Sequence, residues 1–222
     1  MMTYLSCVEL EPENVAATAA VIWLHGLGSN GHDFEAIVPE LQLPADAPVR
    51  FVFPHSPSMP VSVNGGVVMP AWYDILEMGA GRRLNMDQLL HSAAQVTALI
   101  EREIARGIPG ERIVLAGFSQ GGAVAYHAAL SFPHKLAGLL ALSTYFPTSD
   151  RITITEANRT IPLEVMHGSY DPVVLPAMGQ AAVQDLEAAG CKPNWRTYPM
   201  EHQVCMPQIR DIAAWLKQVL AL

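Results

Sequence analysis

The chain has 222 residues and a formal net charge of −8, with half of its residues apolar and only 15% charged. No stretch clusters Lys or Arg, which argues against a nucleic-acid partner. No basic leader precedes an apolar run, and residues 15–24 are too short to cross a bilayer, so a cytoplasmic protein without a transmembrane segment is expected. Three widely spaced cysteines, Cys7, Cys191 and Cys205, suit free thiols in a reducing compartment and carry no zinc pattern, so no metal is expected. With no internal repeat or low-complexity tract, the length fits one domain over residues 1–222.

In chain order, residues 4–10 alternate weakly, as an edge strand does, and residues 19–24 (AAVIWL) form a continuous apolar run typical of an inner strand. The next residues, HGLGSNG from His25, place three glycines just beyond that strand, so the backbone there must approach something closely. Such a loop can offer an oxyanion a backbone N–H, with Leu27 the expected donor. Phosphate binding fails on detail, because the G-x-G-x-x-G spacing and a Gly-Lys-Ser/Thr are both absent. Residues 33–41 read as a short helix disturbed by Pro39, and residues 49–53 as a strand. Residues 61–69 (VSVNGGVVM) carry an Asn64-Gly65 turn between valine-rich arms, a hairpin signal that is unusually apolar for a surface. This hairpin and the following PAWYD are expected to flank a substrate cleft, with Val67, Met69 and Trp72 touching an acyl group. Asn85 caps a long helix to about residue 106, with Gln88 three residues on completing a capping box.

Residues 113–115 are a buried strand, and GFSQG at 117–121 follows it, running into a small-residue helix. Strand, sharp turn and helix are the context of a G-x-S-x-G elbow, which lifts a serine hydroxyl clear of the backbone and makes Ser119 a candidate nucleophile. The remaining elements are strands at 136–143, 161–166 and 194–198 and helices at 175–189 and 208–220. Strands and helices alternate almost throughout, which predicts an α/β fold with a mostly parallel central sheet covered by helices on both faces and functional groups at the strands' carboxyl ends.

A serine at neutral pH needs an imidazole to take its proton and a carboxylate to orient that imidazole. His91 and His127 ride on helices, and His134 lies at the far end of the elbow helix. His25, His32 and His55 precede the elbow in other loops, and His167 leaves its strand before the turn. His202 remains, in a loop between the last strand and the last helix. Among the acids, Asp185 and Asp211 sit within helices, Asp87 at a helix start and Asp150 in a polar loop, whereas Asp171 follows a strand end. The order Ser119, Asp171, His202 is the one an α/β-hydrolase uses.

The segments LHGLG at 24–28, AWYD at 71–74, GFSQGG at 117–122, HGSYDPVV at 167–174 and the late Glu201-His202 together resemble the small carboxylesterase/acyl-protein thioesterase family of α/β-hydrolases, bacterial carboxylesterase type, over nearly the whole length. The resemblance implies Ser119 as nucleophile, His202 as base, Asp171 as its partner, and the N–H groups of Leu27 and Gln120 as an oxyanion hole, with no cofactor. It also implies the substrate class: short to medium acyl esters, or thioesters of long acyl chains on proteins. An apolar, short-looped cleft favours a broad carboxylesterase. A depalmitoylating acyl-protein thioesterase or lysophospholipase-like activity is the alternative, and an inactive hydrolase-fold binding protein is a further one. Apolar surface near the cleft would support a weak homodimer.

Overall fold

All six residues of the run Ala19–Leu24 are buried, and they alternate between two cores: Ala20, Ile22 and Leu24 pack on one face of the sheet, Ala19, Val21 and Trp23 on the other. Side chains of a strand point alternately to opposite faces, so a strand covered on both sides reads as an unbroken apolar run. The computed structural model describes residues 4–78 and 82–222. Its elements in order are β1 (Cys7–Leu10), β2 (Ala19–Leu24), α1 (Ile37–Glu40), β3 (Val49–Pro54), β4 (Ser58–Val61), β5 (Val67–Pro70), β6 (Ile75–Glu77), β7 (Arg83–Leu84), α2 (Met86–Ala105), β8 (Ile113–Phe118), α3 (Gln120–Ser131), β9 (Gly138–Leu142), β10 (Leu163–Gly168), α4 (Pro176–Ala188), β11 (Pro193–Tyr198) and α5 (Met206–Val219).

Seven strands form the main sheet in the order β1-β3-β2-β8-β9-β10-β11. All its pairs are parallel except β1 with β3. Residues of α2, α3 and α4 belong to the core on one face, and residues of α1 and α5 to the core on the other. This is the mostly parallel, two-sided architecture that the alternation predicts. The chain leaves β2 toward β3 on one side and later returns to β8 on the other. That reversal opens a crevice at the carboxyl ends of β2 and β8, the place where open parallel sheets bind ligands. The glycine loop follows β2 and Ser119 follows β8.

Local differences from the sequence reading have tertiary causes. Residues 33–41 fold mostly as turns, with only Ile37–Glu40 helical. The 61–69 segment is a hairpin, but Val61 pairs with Val67, so residues 62–66 form the connection, and both Gly65 and Gly66 take positive φ. Asn85 caps α2 by accepting from the Gln88 N–H at 3.2 Å. The reciprocal half of the box is absent, because the Asn85 N–H donates to the Asp74 carbonyl and Gln88 Oε1 accepts from the Asp74 N–H at 2.7 Å. β10 runs through His167 and Gly168, so His167 lies buried within its strand rather than leaving it early. The small ribbon β6–β7 was not foreseen.

Candidate active site

Ser119 occupies the elbow between β8 and α3 with φ 54° and ψ −121°. The turn is possible because its neighbours lack side chains. A Cβ on Gly117 would lie 2.6 Å from the Gly121 carbonyl oxygen, one on Gly121 2.5 Å from that of His25, and one on Gly122 2.7 Å from the Thr144 side chain. The backbone of Ser119 is tied on both sides. Its N–H donates to the Leu142 carbonyl at 2.9 Å, and its own carbonyl accepts from the Gly122 N–H at 3.0 Å and from Thr144 Oγ1 at 2.6 Å.

Ser119 Oγ lies 2.9 Å from His202 Nε2, and His202 Nδ1 lies 2.7 Å from Asp171 Oδ2. The other oxygen, Asp171 Oδ1, accepts from the N–H groups of Val173 and Val174, both at 2.9 Å. Burial alone would raise the Asp171 carboxyl, but the bonds from His202, Val174 and Val173 outweigh it and hold the group below its usual range. Two loops meet here because Gly168 has no side chain: a Cβ there would collide with the backbone of Met200 and Glu201. Phe118 supports the imidazole, with ring centroids 4.8 Å apart. The structure thus brings Ser119, Asp171 and His202 together from three separate strand ends.

Leu27 and Gln120 flank the serine. Gly26 packs against it, so that a Cβ there would sit 3.5 Å from Ser119 Cβ. Gln120 is the first residue of α3, where an N–H has no intrahelical acceptor. Among the described residues neither the Leu27 nor the Gln120 N–H donates to a protein acceptor. Two donors are therefore free on residues that line the same cavity as Ser119.

Residues 61–74, whose role the sequence left open, brace both donors through residues 70–73. The Pro70 carbonyl accepts from the Gly28 N–H at 2.8 Å, and Trp72 Nε1 donates to the His25 carbonyl at 2.8 Å. The Gln120 side chain bridges the Trp72 N–H and the Tyr73 carbonyl at 2.8 and 2.6 Å. Trp72 is fully buried and Val67 is 57% exposed. Met69 Sδ accepts from Asn64 Nδ2 at 3.3 Å. None of these three lines the cavity in front of Ser119; Val63 and Asn64 of the same segment line it instead. That cavity has a volume of about 380 Å³, and its apolar wall includes Leu27, Val63, Ile75, Met78 and Val173. A second cavity of about 460 Å³ lies across Phe118 and His202, between Phe34, Ile37 and Val204.

His25 is buried, with Nε2 accepting from the Ser56 N–H at 3.1 Å and Nδ1 facing the Gly26 carbonyl at 2.7 Å, so it is a neutral fixture of the loop. Burial lowers its affinity for a proton despite that carbonyl. Residues that sequence reasoning missed are Thr144, Tyr145 and Arg82, which reach the site only through tertiary contact. No group of three or more His, Cys, Asp or Glu able to hold a metal occurs among the described residues. No helix among them is long and apolar enough to cross a membrane.

A serine hydrogen-bonded to a histidine that is itself bonded to an aspartate, at the carboxyl edge of a parallel sheet, is the arrangement of α/β-hydrolases, and this chain has that fold. It belongs to the phospholipase/carboxylesterase family, whose model matches residues 5–220. It is 38% identical over 240 residues to acyl-protein thioesterase 1 of Cryptococcus neoformans var. neoformans, covering 99% of this chain and 100% of the relative. It is 37% identical over 214 residues to acyl-protein thioesterase 1 of Gibberella zeae, covering 91% of each. The crystal structure of Zea mays acyl-protein thioesterase 2 superimposes with a TM-score of 0.85 at 28% identity, over 98% of this chain and 100% of that one. The protein is therefore a hydrolase of the serine esterase and thioesterase type.

Proposed function

We propose that the chain acts as one catalytic domain, a cytoplasmic carboxylesterase that hydrolyses short to medium acyl esters through Ser119, His202 and Asp171. The observation that carries this reading is the line from Ser119 Oγ through His202 to Asp171, opening on an apolar cavity at the small end of the range for ligand pockets. Ser119 Oγ attacks the carbonyl carbon while its proton passes to His202 Nε2. The new oxyanion accepts from the N–H groups of Leu27 and Gln120. As the tetrahedral adduct collapses, the carbonyl re-forms, the bond from its carbon to the alkoxy oxygen breaks, and the same proton goes to the departing alcohol. Water then gives a proton to His202 and attacks the acyl-serine, and that proton returns to Ser119 as the carboxylic acid leaves. Asp171, ionised and fixed by two backbone donors, keeps the imidazole in the tautomer that can accept from serine.

Thioester hydrolysis, the second reading, follows the same steps with a thiol as leaving group. The two acyl-protein thioesterase relatives favour it. Hydrolysis of p-nitrophenyl esters of increasing length, measured beside a palmitoylated peptide, separates the two: a short-chain optimum with slow depalmitoylation supports the carboxylesterase, and the reverse supports the thioesterase. Ser119→Ala and His202→Ala should each lower kcat by about 10⁴-fold or more. A fluorophosphonate should add one label, lost in Ser119→Ala; an unlabelled wild-type protein would instead support a binding role.

A further inference from the structure

Arg82 lines the cavity that Ser119 and His202 face. Its guanidinium carbon lies 4.8 Å from the centroid of the Tyr145 ring, and Nη2 donates to the Val173 carbonyl at 2.7 Å. Tyr145 is itself fixed, its hydroxyl 2.7 Å from that of the fully buried Tyr73. An aromatic face and a carbonyl thus hold the cation in one orientation. Its charge is nevertheless uncommitted. The neighbouring cations Arg83 and Arg151 pair with Glu77 and Asp150. Among the described residues Arg82 has no carboxylate partner, and its buried Nε has no acceptor. The sequence at 1–3 (MMT) and 79–81 (GAG) contains no acidic side chain.

A guanidinium already ordered on an aromatic ring, with donors unspent, suits the planar oxygens of a carboxylate. The cavity also has a polarity. Asp33 stands exposed on its rim and repels an anion there, while Arg82 attracts one and the wall includes the apolar Leu27, Val63 and Ile75. We propose that Arg82 is a specificity residue, and that the preferred esters carry a carboxylate several bonds from the scissile carbonyl. This rests on the esterase reading above and narrows its substrate class.

The test compares p-nitrophenyl hemiesters of dicarboxylic acids, from succinate to suberate, with neutral esters of the same carbon count. A second arm places the anion on the alcohol side, as the butyryl ester of 4-hydroxybutyrate against pentyl butyrate. In one arm Arg82→Gln should lower the ratio of kcat/KM for the anionic ester to that for its neutral partner by at least tenfold. Arg82→Lys should lower it less, and added salt should shrink the wild-type preference. Thermal melting checks that both variants fold, and the wild-type salt response reads the same preference without a mutation. A ratio that Arg82→Gln leaves unmoved in both arms, with neutral esters still hydrolysed by the wild type, would overturn the inference alone. Failure of the wild type to hydrolyse any ester would overturn the esterase reading and the inference with it.

Discussion

A φ of 54° at a residue with a side chain is of order 1–3 kcal/mol unfavourable, and Ser119 holds it because three hydrogen bonds and three neighbouring glycines leave it no alternative. That geometry sets the hydroxyl at the start of α3, 2.9 Å from the imidazole of His202. The donor at Leu27 is open to a direct test, since proline deletes an N–H without adding a charge. Leu27→Pro should lower kcat by about 10² to 10³-fold. KM should move much less, because the bond is needed most once negative charge develops. Steady-state kinetics on a short ester decides it, and an equal loss in KM would assign Leu27 to ground-state binding.

At the scale of elements, the 61–74 segment works as scaffolding. Gln120 illustrates this: its backbone opens α3 directly after the serine while its side chain bridges Trp72 and Tyr73. Gln120→Ala would leave two buried polar groups without partners, each at a cost of about 1–3 kcal/mol. The expected result is a Tm lowered by roughly 4–24 °C, from about 2–6 kcal/mol in all and about 2–4 °C per kcal/mol for a chain of this size, together with slower turnover from a looser elbow. Such bridges span 47 or 48 residues, which is why the sequence did not disclose them. Where a feature depends on neighbours in the chain it was legible: the glycines of the elbow, the cap at Asn85, and the strand-end positions of Asp171 and His202. The Gln88 half of the capping box failed because Asp74 claimed both groups first. Arg82 lay in a polar, glycine-flanked run with no pattern to mark it, and its orientation comes from a tyrosine 63 positions later.

Across the whole molecule, buried charge and buried imidazole set the response to acid. Burial holds His25 and His167 below the ordinary histidine value. The unfolded chain therefore takes up protons that the folded one refuses, and stability is full above about pH 6.5 and declines as pH falls from there. Asp171 acts lower on the scale. Its folded value is depressed, so its contribution holds above the unfolded value of about 4 and is lost as pH falls through the folded one. Melting scans should show Tm falling between pH 7 and 5. His167→Gln should shallow that slope, because the amide can still donate to the Val174 carbonyl that His167 Nε2 now faces at 2.8 Å. A slope unchanged by the substitution would remove His167 from the account.

The contact at Gly168 carries a last consequence. Because the loop bearing Asp171 and the loop bearing His202 rest backbone against backbone, neither can swing out while the other stays in register. Warming should consequently erase ester turnover in a single step that coincides with the main melting transition, instead of wearing it away as one segment frays ahead of the rest.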